Sequence, residues 1–202
     1  MNVIVAGAGP GARYLMTEQL RETLKAADVV ISSVHFDGII KGHLKLGISD
    51  TIKYIEAHKN ERKNVIVLAS GDTGFYSMLT FMRKHFKANE LNVMPGISSV
   101  QYMFAKVSSY WNDAFVSSVH GRNTEYVEKL RECGKIGLLT DKKNTPQRIA
   151  EEVVKAGMTE ATIYVGENLS YENEKIWEMP AKEMMEYERD FEMNVVLVFL
   201  QD

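Results

Sequence analysis

In the first half of the chain, short apolar runs alternate with longer segments in which apolar and charged residues recur at helical spacing. This pattern predicts strands at 2–6, 28–33, 64–69 and 91–94, and helices at 14–27, 49–58, 76–85 and 100–106. A strand followed by a helix, repeated along the chain, is typical of a parallel sheet with helices on its faces. The fully apolar run at 65–68 further indicates a strand that is buried on both faces.

The pattern changes beyond Trp111. It predicts strands at 115–120, 135–140, 161–166, 175–177 and 194–200, and helices at 124–131 and 145–157. Thr145 is a hydroxyl cap followed by a proline in the first helical turn, and the polar turn at 170–174 predicts a hairpin. We therefore expect a two-domain α/β protein, with a parallel-sheet domain at 1–112 and a mixed-sheet domain at 113–202.

Three glycine-containing loops follow predicted strands, at Gly7–Ala12, Ser70–Phe75 and Pro95–Ser99. In a parallel sheet the carboxyl ends of the strands lie along one edge, and ligands bind outside that edge. We therefore expect the three loops to share one rim and to form one binding site. Glycine lets the backbone turn sharply and come close to a ligand, and Asp72 adds a carboxylate to the second loop.

Each loop also has a simpler interpretation. Gly7–Ala12 resembles a dinucleotide-binding loop, which is typical of a nicotinamide-dependent oxidoreductase. Pro10 argues against that function because proline lacks an N–H that could bind a pyrophosphate. The second strand also ends in serines, not in the Asp or Glu that holds a ribose. Asp72 is equally well placed to cap the helix after its loop, and Ser98 or Ser99 to cap the next one.

Composition narrows the function. The 202 residues carry a formal net charge of −3, which disfavours a nucleic-acid partner. The single cysteine, Cys133, excludes an intramolecular disulfide, and the five histidines show no metal-ligand spacing, so we expect no protein-bound metal.

With neither a signal peptide nor an apolar stretch long enough for a bilayer, we expect a cytoplasmic protein without a membrane partner. The acidic run at 183–192 indicates a solvated helix face.

Taken together, the loops resemble those of one family. The series Val-Ala-Gly-Ala-Gly-Pro-Gly (5–11), Leu-Ala-Ser-Gly-Asp-Thr-Gly-Phe-Tyr (68–76) and Pro-Gly-Ile-Ser-Ser-Val-Gln (95–101) is similar to the tetrapyrrole methylase family of S-adenosylmethionine-dependent methyltransferases. Ser-Val-His-Gly-Arg (118–122), Leu-Leu-Thr-Asp (138–141) and Val-Gly-Glu-Asn-Leu-Ser (165–170) resemble the members that methylate C5 of (cobalt-)precorrin-7 in cobalamin biosynthesis. The resemblance covers nearly the whole chain.

One position departs from this resemblance. The second loop of the family usually reads Ser-Gly-Asp-Pro, whereas this chain has Thr73 in place of the proline. Because proline fixes its own backbone angle, the substitution leaves the stiffness of the loop open.

The resemblance implies that S-adenosylmethionine is the cosubstrate and that it lies in a cleft between the two domains. The residues implied to contact it are Gly71, Asp72, Thr73, Phe75, Ser98, Ser99, Thr140 and Asn168. Those implied to contact the tetrapyrrole are Gly9, Pro10, Arg13, His120 and Arg122. Arginine suits the acetate and propionate groups of a tetrapyrrole because it pairs with carboxylates in bidentate fashion. His120 and Asp72 are the candidates for a general base that removes a proton from the methylated ring.

The resemblance further implies a homodimer and a separate enzyme for C15 methylation and decarboxylation, since some relatives carry that activity in a fused domain. Three alternatives stay open. The first is another tetrapyrrole methylase, acting on a different precorrin, on ribosomal RNA or on a diphthine precursor. The second is the nicotinamide-dependent oxidoreductase, and the third is a non-catalytic ligand-binding protein of the same fold.

Overall fold

The computed structural model describes residues 1–32, 36, 38–40, 42–121 and 125–200. The chain divides into two compact units, Met1–Ser98 and a second unit that begins at Ser99. Each unit contains one five-stranded sheet. The predicted two-domain α/β architecture is therefore confirmed.

The first unit is built on a parallel sheet. Its strands are β1 (Asn2–Gly7), β2 (Val29–Ser32), β3 (Leu44–Lys45), β4 (Asn64–Ala69) and β5 (Leu91–Met94). They lie in the order β3-β2-β4-β1-β5, and every neighbouring pair is parallel. The short strand β3 was not predicted from the sequence, because two exposed residues give no apolar pattern.

Helices cover both faces of this sheet because alternate strand residues are apolar on each side. The helices are α1 (Glu18–Lys25), α2 (Ile48–His58) and α3 (Met78–His85). Leu20 of α1 belongs to a core cluster with Ile4 and Ile66. Val5 belongs to a second cluster, with Ile55 of α2. The strands β1 and β4 are thus buried from both sides, as the apolar run at 65–68 predicted for β4.

The second unit is built on a mixed sheet, as predicted. Its strands are β6 (Phe115–Ser118), β7 (Lys135–Leu139), β8 (Thr162–Glu167), β9 (Lys175–Pro180) and β10 (Asn194–Phe199), and its helices are α4 (Ser99–Lys106), α5 (Tyr126–Cys133), α6 (Pro146–Lys155) and α7 (Ala181–Met185). The strands lie in the order β6-β7-β10-β8-β9. β6 and β7 are parallel, and the other three neighbouring pairs are antiparallel.

The division between the units falls at Ser98, ahead of the boundary that the sequence placed at residue 112. The reason is that α4 packs directly on the second sheet. A Cβ added to Gly137 of β7 would lie 2.8 Å from Val100, and one added to Gly166 of β8 would lie 2.4 Å from Met103. Because these two glycines carry no side chain, α4 can pack closely against the sheet. The sequence pattern places α4 in the first domain, because this helix directly follows β5.

The predicted helix at 183–192 ends at Met185, although the acidic side chains of the run are exposed, as the interpretation as a solvated face predicted. Helix α7 ends there, and the following segment folds back onto the end of β8, where Arg189 and Glu192 both bond to the carboxylate of Glu167. Bonds to a buried acceptor on another strand, and not a helix, therefore hold this segment while its acidic side chains stay exposed to solvent.

The loops after β1, β4 and β5 meet at three glycines. A Cβ on Gly7 would lie 2.7 Å from both the Gly71 oxygen and the Gly96 nitrogen, and a Cβ on Gly96 would lie 2.3 Å from the Gly71 oxygen. Gly9 and Gly71 exchange two backbone hydrogen bonds, of 3.1 and 2.8 Å. The expectation that the three loops share one rim of the sheet is therefore confirmed.

The turns after the parallel strands β6 and β7 are tied together by one carboxylate. Oδ2 of Asp141 accepts a hydrogen bond from the backbone N–H of Gly121 at 2.6 Å, and Oδ1 accepts from the N–H groups of Lys143 and Asn144 at 2.8 and 2.7 Å. These hydrogen bonds, led by those from Asn144 and Gly121, lower the pKa of Asp141 to about 2. The charged form of Asp141 is thus part of the fold at this edge.

The close approach of Gly7, Gly71 and Gly96 predicts that two alanine substitutions differ strongly in their effect on the free energy of unfolding. Gly96→Ala should lower the free energy of unfolding by about 2 kcal/mol or more, because its Cβ would overlap backbone atoms that cannot move aside. Gly47→Ala is the control, since no atom lies within 4 Å of its Cβ position. Urea unfolding followed by circular dichroism measures both. Equal, small effects would contradict the close approach of the three loops.

The Asp141 turn predicts a pH-dependent contribution to stability. The pKa of Asp141 lies below its ordinary value of 3.8 in the folded protein, so its stabilisation is complete above that pH and is lost as the pH falls towards 2. The difference in unfolding free energy between the wild type and Asp141→Asn should therefore shrink between pH 5 and pH 2. A difference that stays constant over this range would show that the carboxylate is not held by these N–H groups.

Candidate functional site

The first loop lies at the rim with most of its residues buried. Gly9 adopts a positive φ of 82°, and its backbone N–H and C=O groups pair with those of Gly71. Pro10 is buried beside it, and Arg13 is exposed in the short 3-10 turn Arg13–Leu15. The structure thus places these three predicted tetrapyrrole contacts on one loop.

Asp72 joins the second loop to the third. Its Oδ1 accepts from the backbone N–H of Gly74 at 2.8 Å, and its Oδ2 accepts from the N–H of Gly96 at 3.0 Å. It does not cap α3, which begins at Met78 after Ser77. Because a carboxylate has about four acceptor positions, two bonds to the backbone leave capacity for a ligand at the same point.

Thr73 fixes the second loop to the end of β5. Its side chain is buried, and its hydroxyl donates to the carbonyl oxygen of Met94 at 3.3 Å. A hydrogen bond therefore restrains the position at which the tetrapyrrole methylases usually have proline. The half-buried ring of Phe75 stands edge-on to Tyr76, with 4.9 Å between the centroids.

The third loop leads from one unit into the next. Ser98 is buried at the end of the first unit, and Ser99 is the first residue of α4. The two predicted contacts of the third loop therefore fall on either side of the division between the units.

Thr140 and Asn168 follow β7 and β8; Thr140 bonds to the first residue of β10, and Asn168 bonds to the two residues before it. The Thr140 hydroxyl lies 2.8 Å from both the backbone and side-chain oxygens of Asn194. The backbone N–H of Asn168 donates to Met193 at 2.8 Å, and its side-chain amide donates to the carboxylate of Glu192. The structure therefore brings these two predicted cosubstrate contacts to one edge of the second sheet.

Glu167, which precedes Asn168, is a residue that the sequence reasoning missed. It is only 1% exposed, and its carboxylate accepts from Arg189 at 2.9 and 3.1 Å and from the backbone N–H of Glu192 at 2.8 Å. Burial raises the pKa of Glu167, but the Glu192 N–H and the Arg189 guanidinium outweigh burial and hold the pKa below its ordinary value. The one signal in the sequence is a single arginine, Arg189, inside the acidic run, and this pattern does not indicate which carboxylate the arginine pairs with.

His120 lies beside Thr140 at the same edge. Its Nδ1 hydrogen-bonds to the Thr140 carbonyl oxygen at 3.2 Å, its ring is exposed, and its neighbour Gly121 is held by Asp141. Arg122 falls outside the described residues, so its predicted contact with a tetrapyrrole stays a prediction. Asp141 was not singled out as a site residue, although it holds the backbone beside His120.

Two tyrosines near the glycine loops were also missed. Tyr14, just after the first loop, is 71% exposed, and Tyr76, just after the second, is 43% exposed. Tyr76 also adopts a positive φ of 51°, which is uncommon outside glycine. Exposed aromatic rings at a rim suit a flat apolar ligand.

The described ranges contain neither a metal-ligand cluster nor a membrane-spanning helix. No group of three or more His, Cys, Asp or Glu side chains is arranged to hold a metal ion. Among the described helices, none has the length and apolar character that crossing a bilayer requires.

The chain is similar to known proteins over almost its whole length. The profile of the tetrapyrrole (corrin/porphyrin) methylases matches residues 2–185. Cobalt-precorrin-7 C(5)-methyltransferase of Salmonella typhimurium is 34% identical over 200 residues, which cover 96% of this chain and 96% of that protein.

Solved structures share the fold across both units. A cobalt precorrin-4 methyltransferase superposes with a TM-score of 0.78, at 20% identity and with coverage of 100% of this chain and 96% of the other. Uroporphyrin-III C-methyltransferase from Thermus thermophilus, crystallised with S-adenosylhomocysteine, gives a TM-score of 0.75 at 18% identity, covering 98% and 92% of the two chains. The chain therefore belongs to the tetrapyrrole (corrin/porphyrin) methylase family.

Proposed function

We propose that this protein transfers a methyl group from S-adenosylmethionine to C5 of cobalt-precorrin-7 in cobalamin biosynthesis. The observation that carries the proposal is the junction of Gly7, Gly71 and Gly96, which builds one binding rim from three loops of a parallel sheet. The choice of substrate is supported by the full-length similarity to a cobalt-precorrin-7 C(5)-methyltransferase.

The rim of the first unit fits a ligand that approaches backbone closely. Gly71 and Gly9 use their backbone N–H and C=O groups on each other, so they offer a surface without side chains. Asp72 offers the remaining acceptor positions of its carboxylate, which suit the hydroxyl or amino groups of S-adenosylmethionine. The cosubstrate contacts proposed here are Gly71, Asp72, Thr73, Phe75, Ser98, Ser99, Thr140 and Asn168.

Methyl transfer requires the protein mainly to align the methyl donor with the acceptor carbon. S-adenosylmethionine supplies a methyl group that its sulfonium already activates. The protein's task is to hold the acceptor carbon and the methyl in line at near-attack distance, and a rim fixed by backbone contacts performs that task without a nucleophilic side chain. His120, exposed at the edge of the second sheet, is a candidate for a general base, because its Nδ1 must donate to the Thr140 carbonyl oxygen, which makes Nε2 the basic nitrogen.

The tetrapyrrole contacts are proposed on chemical grounds. Arg13, exposed after the first loop, and Arg122 suit the peripheral carboxylates of the macrocycle. Gly9 and Pro10 are the proposed contacts beneath the ring, and the exposed ring of Tyr14 offers a stacking surface on the same loop. A homodimer, a cytoplasmic location and a separate C15 enzyme remain predictions that belong to the same proposal.

Methyl transfer itself tests the proposed function. Incubation with S-adenosylmethionine carrying a labelled methyl group should add one methyl to cobalt-precorrin-7 under anaerobic conditions, located at C5 by mass spectrometry and NMR. An earlier precorrin, ribosomal RNA and a diphthine precursor serve as parallel substrates. Label found only in one of these would contradict the substrate, and binding of NADPH without S-adenosylhomocysteine would contradict the reaction class. Binding of S-adenosylhomocysteine without any turnover would favour a non-catalytic protein.

Asp72 should contribute to cosubstrate affinity. Asp72→Ala removes the acceptor that joins the second and third loops, and S-adenosylhomocysteine binding should weaken by about 1–3 kcal/mol. Isothermal titration calorimetry measures this change, with Asp50→Ala on the exposed face of α2 as the control. An unchanged affinity in a folded Asp72→Ala protein would remove Asp72 from the site.

A further inference from the structure

The segment between α7 and β10 has no regular secondary structure, yet it is held firmly at the edge of the second sheet. The Arg189 guanidinium that pairs with Glu167 lies 4.8 Å from the Trp177 ring centroid and 5.3 Å from that of Phe191. Such a guanidinium is restrained by cation–π contacts as well as by its carboxylate partner. Since Glu167 also binds the backbone N–H of Glu192, residues 189–192 have one defined path.

This path places the Glu192 carboxylate against Asn168. An ionised carboxylate only accepts hydrogen bonds, so the Asn168 side chain must turn its amide nitrogen towards Glu192 and its oxygen away. The backbone of Asn168 is restrained as well, because its φ of 50° lies in the left-handed region and its N–H donates to Met193. A strained asparagine persists only where its surroundings determine it, and such residues cluster at ligand sites.

The same segment also sets the second cosubstrate contact of this unit. The Asn194 side-chain amide donates to the carbonyl oxygen of Glu192 at 2.7 Å, and Asn194 in turn bonds to the Thr140 hydroxyl. Thr140 and Asn168, which follow separate strands, are therefore coupled through the position of Glu192.

We infer that Glu167 and Glu192 are positioning residues that hold the Asn168 side-chain oxygen ready for a hydrogen-bond donor of the cosubstrate, an amino or hydroxyl group. Glu167 fixes the backbone of Glu192, and the Glu192 carboxylate sets the orientation of the amide. The inference rests on the proposed function, because it takes Asn168 to contact S-adenosylmethionine.

A double-mutant cycle tests the inference, with S-adenosylhomocysteine as the probe. Glu192 is exposed, so Glu192→Ala should fold, and it should raise the Kd about tenfold, the loss of one oriented hydrogen bond. Asn168→Ala should raise the Kd by a similar factor. In the double variant the two effects should not add, because both act through one contact. Glu188→Ala, an exposed glutamate of the same segment, is the matched control and should leave the Kd unchanged.

A kinetic measurement separates positioning from general damage. Glu192→Ala should raise KM for S-adenosylmethionine with little change in kcat, and Glu167→Asp should retain more affinity than Glu167→Gln because it keeps the charge that pairs with Arg189. Additive effects in the cycle, or an unchanged Kd in Glu192→Ala, would overturn the inference. Failure of the wild type to bind S-adenosylhomocysteine would instead overturn the proposed function, and the inference with it.

Discussion

The close approach of three backbone segments at Gly7, Gly71 and Gly96 is the constraint on which the first unit depends. Where added Cβ atoms would lie as little as 2.3 Å from a carbonyl oxygen, no side chain fits. The loops after β1, β4 and β5 therefore lock into one another, and their order across the sheet fixes a single rim. The hydrogen bonds of Asp72 and Thr73 add to this arrangement, but they presuppose it, because their acceptors and donors are in reach only when the loops touch.

The second unit achieves a comparable rigidity by other means. Its strand-end turns are not interlocked glycines but backbone N–H groups gathered around carboxylates, Asp141 for the turns after β6 and β7 and Glu167 for the segment before β10. Each carboxylate is held below its ordinary pKa, so charge is built into these connections. Two different physical solutions, steric in one unit and electrostatic in the other, thus fix the residues proposed to bind the two substrates.

Much of this could be predicted from the sequence, because strand and loop positions follow from local pattern. The apolar run of β4 and the three glycine loops gave the parallel sheet and the common rim. The partners across space could not be predicted. Nothing local to Glu167 indicates that Arg189 approaches it. The packing of α4 on the second sheet depends on Gly137 and Gly166, which are far from that helix in sequence. Residues whose role depends on a distant partner are the ones that pattern reasoning misses.

Thr73 shows how a restraint can be exchanged for one of a different kind. A proline at this position would limit the chain before and after folding alike, because its ring fixes φ in every state. The Thr73 hydroxyl restrains the loop only once the Met94 carbonyl is in place. This restraint on the loop therefore depends on β5 lying beside β1, so it belongs to the assembled sheet and not to the local peptide.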